Sequence, residues 1–172
     1  MNWLDILIIV ALIGFVSAAY SAGLIREVVT LTAVIAGIVI AGTLYDNLAS
    51  DVLVFIGNDS AAEAVSFLVL FGAVYIFGQI AAYMLKTGAS LLMLGVWDKL
   101  GGIGFGLIKG LLIVQILLLV FAAYPSLGLE GAVEGSELAP YFVDDFSFLL
   151  NLLPQAFEDR IDAFLGKAGP GA

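Results

Sequence analysis

The sequence predicts an all-α fold, a polytopic integral membrane protein with four transmembrane helices and a short C-terminal tail carrying an amphipathic helix. Three observations predict it. Of 172 residues, 62% are hydrophobic and 12% charged, about half the charged share of an ordinary soluble domain, and the mean hydropathy is +1.13. The apolar residues fall in four long continuous runs, without the period-2 alternation of a membrane barrel. Most of the charged residues fall between those runs and after them.

The first predicted helix covers about residues 4–22. It carries Asp5 and no Lys or Arg ahead of it, whereas a cleaved secretory signal needs a basic leading segment, so it reads as a retained helix. Trp3 and Asp5 suit an interface anchor and a helix N-terminal cap. The second helix, about residues 25–45, follows at once. A single helix from Trp3 to Tyr45 would run about 64 Å, twice the roughly 30 Å hydrocarbon core, so the chain must break. Ser21-Ala22-Gly23 is the predicted break, because Gly accepts the backbone angles of a helix stop. The third helix covers about 61–86 and the fourth about 101–124, closed by Pro125, which has no N–H to continue it.

Residues 1–125 therefore form the expected transmembrane domain and residues 126–172 an acidic tail. Glu130, Glu134, Glu137, Asp144 and Asp145 make the first half of the tail read as a loop. An amphipathic helix is predicted over about 154–166, with Pro154 in its first turn. Phe157, Ile161, Phe164 and Leu165 share one face, with Glu158, Asp159, Arg160 and Asp162 largely opposite. That acidic face favours packing on protein over attraction to anionic lipid.

Cations set the expected orientation. Arg26 lies between the first and second helices, and Lys86 and Lys99 between the third and fourth, while the other connection holds Asp46, Asp51 and Asp59. Positive residues mark the cytoplasmic side, so both termini are expected outside the cytoplasm.

Charge and residue types exclude several functions. The formal net charge is −9 with six Lys plus Arg, which leaves no basic face for nucleic acid. Neither His nor Cys is present, removing imidazole bases, thiolates, disulfides and the usual zinc and haem ligands. No calcium-loop spacing occurs among the acids, and nothing places a Ser beside a Lys as a nucleophile pair. The chain is expected to be no enzyme and to hold no cofactor or metal.

Gly102, Gly106 and Gly110, four apart, form overlapping GxxxG units that let another backbone approach closely. They predict a helix-packing groove whose partner is a helix of this chain, a second copy or another membrane protein. Gly37 with Ala41, and Gly72 with Gly78, offer weaker small-residue positions. Arg26, Glu27, Asp98 and Lys99 form a charged collar at the inner surface, with Lys109 about two turns deeper. Buried unpaired charges are costly in hydrocarbon, so Arg26 is expected to pair with Asp98, and Glu27 with Lys99 or Lys109. Read functionally the collar is a polar gate or ion path; read structurally it is snorkelling and topology anchoring.

The chain resembles the bacterial colicin V production protein family over roughly residues 1–143. The resemblance is carried by Trp3-Leu4-Asp5, by Gly23-Leu24-Ile25-Arg26-Glu27, by Asp98-Lys99 with Gly102, Phe105-Gly106 and Lys109 to Val114, and by Ser136-Glu137-Leu138-Ala139-Pro140. Lys99 stands where the family often has Arg, and the Phe-rich extension after Tyr141 is less typical. The resemblance implies an inner-membrane protein needed for production or export of a peptide toxin and tied to envelope maintenance. It also implies an outward C-terminus, since some family members carry an exported protease domain after the fourth helix. The leading expectation is a non-enzymatic scaffold or accessory factor. The alternatives are a small channel or transporter component, oligomeric or not, and a membrane anchor for a soluble partner. In each case the lipid bilayer is the solvent; a further membrane protein or a second copy is the expected partner, except in the anchor reading, where the partner is soluble.

Overall fold

The computed structural model describes residues 2–88, 95–124 and 127–144. About 90% of these residues are helical and none lies in a strand. Four helices are long and apolar enough to cross a membrane: α1 (Trp3–Ala22), α2 (Leu24–Ile56), α3 (Asp59–Gly88) and α4 (Val96–Ala123). Two short helices follow, α5 (Glu130–Glu134) and α6 (Ala139–Asp144). The predicted amphipathic helix near 154–166 and the closing Pro125 lie outside the described residues.

The breaks have local causes. α1 starts on a capping box, in which Asn2 accepts from the backbone of Leu4 and Asp5 while Asp5 accepts from the Asn2 N–H. It stops at Gly23, whose φ of +81° strains any side chain, and α2 begins at the next residue. The predicted break is therefore a single glycine. α2 runs to Ile56, well beyond the expected end near residue 45. Asp46 and Asp51 are polar but do not terminate a helix, and the chain meets no breaker until Gly57, with φ +66°. At 33 residues, α2 spans about 50 Å and projects past the hydrocarbon core. Asn58 caps α3 through its side chain to the Ala61 N–H, so α2 and α3 form a tight antiparallel hairpin. α4 starts at Val96, five residues ahead of the expected Gly101, because Gly95 rather than Gly101 adopts positive φ.

Order in space differs from order in sequence. α4 packs against both α1 and α2, and α3 packs along α2. The most hydrophobic window of α4 is 67% buried, against 22%, 33% and 22% for α1, α2 and α3, so α4 is the central helix. Its Leu112, Ile116, Leu119 and Tyr124 meet Leu4 and Ile8 of α1, Val34, Ile38 and Tyr45 of α2, and Phe67 and Phe71 of α3 in one core. Ile6, Leu7, Val10 and Ile13 of α1, and Ile76, Phe77 and Ile80 of α3, point outward, as lipid-facing side chains do.

The start of the tail is part of that core, which corrects the expected loop. Val133, Ala139 and Phe142 join it. Asn2 Nδ2 donates to the Ala132 carbonyl at 2.7 Å, and Gln115 Nε2, inside α4, donates to the Phe142 carbonyl at 2.9 Å. These bonds place the N-terminus and residues 127–144 at the same end of the bundle, opposite Gly23 and Asp98.

Candidate functional site

The stretch Gly23–Glu27 and the first half of α4 meet at the end of the bundle where α1 reverses into α2. Asp98 does not pair with Arg26. Its Oδ1 accepts from the Leu24 backbone N–H at 2.9 Å, satisfying one of the orphan donors of the α2 N-terminus from another helix. A Cβ on Gly23 would overlap the Asp98 carboxyl group, so glycine is required there for contact as well as for φ. Lys99 does not pair with Glu27; its ammonium lies 4.9 Å from the Tyr20 ring centroid, a cation–π contact at the exposed rim.

The glycine stripe faces α1. A Cβ on Gly102 would press on the Ala19 carbonyl and Gly23 backbone, one on Gly106 would overlap Ala19 Cβ, and one on Gly110 would meet the Phe15 side chain. Among the small residues of lower weight, Gly37 sits under Phe71 and Gly78 against Ala33, tightening α2 on α3, while Gly72 faces open space.

Close approach of α1, α2 and α4 buries a charge pair. Lys109 Nζ lies 2.5 Å from Glu27 Oε2, with side chains 4% and 3% exposed. The same ammonium donates to Thr30 Oγ1 at 3.2 Å and lies 5.9 Å from the Phe15 ring centroid. Thr30 Oγ1 in turn donates to the Glu27 carbonyl. Lys109 therefore does not snorkel to the surface; it is neutralised inside the bundle.

Beside this pair a cavity of about 410 Å³ opens between α1 and α3. Its floor is Glu27 and Lys109, one wall is Ala11, Gly14, Phe15, Ala18 and Ala22 of α1, and the other is Tyr75 and Gln79 of α3. Arg26 lines it as well. Arg26 Nη2 donates to Gln79 Oε1 at 3.2 Å, and Gln79 Nε2 donates to Tyr75 Oη at 2.6 Å. The groove combines one compensated ion pair, one guanidinium held by a neutral amide and an otherwise small-residue wall.

Asp5 belongs to the other end. It is fully buried, and beyond its capping role it accepts from Ser136 Oγ at 2.5 Å and from the Leu138 N–H at 3.0 Å. Ser136 Oγ also accepts from the Ala139 N–H, so one carboxylate seats the whole Ser136–Ala139 turn on the start of α1. Sequence reasoning missed Thr30, Tyr75, Gln79 and Gln115 and the pairing of Asp5 with Ser136. The two glutamines carried a usable signal, since amides inside apolar spans need partners.

Residues 4–147 match the family described as colicin V production protein. A protein of Haemophilus influenzae described as a colicin V production protein homolog is 28% identical over 136 residues, covering 78% of this chain and 83% of the relative. No solved structure matches.

Proposed function

The chain belongs to the colicin V production protein family, and on that premise we propose that it is a non-enzymatic scaffold or accessory factor of the bacterial inner membrane, serving production or export of a peptide toxin and maintenance of the envelope. Both termini face away from the cytoplasm in this reading, with Arg26, Asp98 and Lys99 inside. The observation that supports it is the closed polar set at the α1–α2–α4 junction. Lys109, Glu27 and Thr30 satisfy one another within the chain, which fits a rigid platform rather than a relay that must release and rebind charge. Its partners are the bilayer and a membrane protein or a second copy held against the outward faces of α1 and α3.

The test is secretion of a colicin V-type toxin from cells lacking this protein. Restoration by the parent chain, and its loss when Gly106→Leu separates α1 from α4, supports the scaffold. Full restoration by a Gly106→Leu protein that folds and inserts would overturn it. A second reading, a channel or transporter component, draws on the polar groove between α1 and α3. Purified protein in liposomes that passes ions or peptide down a gradient, with flux changed by Lys109→Ala, would favour that reading over the first.

A further inference from the structure

We infer that the groove between α1 and α3 binds the phosphate headgroup of an anionic membrane lipid, with Arg26 as the anchor. The inference does not need the scaffold reading. Glu27 and Lys109 cancel each other at 2.5 Å, which leaves the Arg26 guanidinium as uncompensated charge. Its hydrogen bond among the described residues goes to the neutral Gln79 amide, and the carboxylate at hand, Asp98, is turned to the Leu24 N–H. A guanidinium has five N–H donors in a fork that matches phosphate oxygens, and a cation at a membrane boundary favours an anion beside it. Tyr75 Oη accepts from Gln79, which leaves its own proton available to a phosphate oxygen in the same space.

Position favours a lipid over free phosphate. Arg26 lies within one helical turn of the reversal at Gly23, at the level where the spans end and headgroups begin. From there the groove continues along Ala22, Ala18, Gly14 and Ala11, a wall with no large side chain apart from Phe15. A Cβ on Gly14 would meet nothing within 4 Å. A headgroup on Arg26 and Tyr75 with an acyl chain along α1 uses both halves of the 410 Å³ cavity.

Native mass spectrometry of the purified chain in neutral detergent tests this, with palmitoyl-oleoyl phosphatidylglycerol, the matching phosphatidylcholine and inorganic phosphate as probes. The expected result is a one-to-one phosphatidylglycerol adduct, with phosphatidylcholine weaker by about tenfold. Arg26→Gln should weaken phosphatidylglycerol by about tenfold, the loss of a charge-assisted contact, and Arg26→Lys should restore part of it. Gly14→Leu, which fills the slot without touching the ion pair, should weaken it too and serves if Arg26→Gln does not fold. Equal binding of the two lipids, or unchanged phosphatidylglycerol binding in a folded Arg26→Gln or Gly14→Leu protein, overturns the inference. Inorganic phosphate that binds alone and displaces the lipid overturns the lipid assignment and leaves a free-anion site.

Discussion

Removing one member of the Glu27–Lys109 pair should cost far more than removing both. The side chains are 4% and 3% exposed, with Nζ and Oε2 2.5 Å apart. At that separation and an effective dielectric of about 20, Coulomb's law gives ~7 kcal/mol of attraction. Most of it is offset by the cost of taking two ions out of water. Lys109→Met deletes the attraction but leaves the Glu27 carboxylate buried, and Glu27→Gln does the converse. Each single change should destabilise by about 3–5 kcal/mol. The double variant removes both buried charges and should lie within about 1–2 kcal/mol of the parent, a coupling of at least ~4 kcal/mol. Unfolding of the four purified proteins in detergent micelles, followed by helical circular dichroism against SDS fraction, measures this. Single effects that simply add in the double variant, with coupling below ~0.5 kcal/mol, would contradict a tightly coupled buried pair and mean that solvent or lipid headgroups already screen it.

The other expectations follow from contacts with the same precision. Gly106→Ala puts a Cβ into Ala19 and should destabilise by about 1–3 kcal/mol, whereas Gly104→Ala, with nothing within 4 Å, should be neutral or stabilise by up to ~1 kcal/mol; the same unfolding assay compares them. Ser136→Ala removes the hydroxyl donor from the buried Asp5 carboxylate and should cost about 1–3 kcal/mol, with faster proteolysis within residues 127–144 as an independent readout. Asp98→Asn keeps an acceptor for the Leu24 N–H and should stay within about 0.5 kcal/mol of the parent, while Asp98→Ala should lose ~1 kcal/mol.

Long-range chemistry separates what the sequence discloses from what it hides. The four spans are legible because each is a continuous apolar run and burial in lipid tolerates no other regular structure of that length. Gly23 is legible as a break because a helix to Tyr45 is too long for the bilayer. The end of α2 is not, because Asp46 changes polarity without ending a helix, and the stop waits for Gly57. The stripe Gly102–Gly106–Gly110 announces close packing, but its partner, Phe15–Ala19, has no spacing that singles it out from the rest of α1. Charges show the same limit. Glu27 with Lys109 is among the pairs the sequence suggests, yet Arg26 with Asp98 is not formed, since Asp98 is drawn to an unsatisfied backbone N–H, a donor invisible in a list of side chains. Asp5 and Ser136 stand 131 positions apart, and only the return of the chain after α4 brings them together.

Four membrane crossings with the Gly23–Asp98 end inside can be checked directly, because the absence of cysteine from the sequence lets single thiols report sidedness. Asn47→Cys, Thr87→Cys and Glu134→Cys should be treated in intact cells with a membrane-impermeant maleimide, then again after permeabilisation. Labelling of positions 47 and 134 from outside, with position 87 reached only after permeabilisation, is the predicted result; labelling of position 87 in intact cells contradicts it.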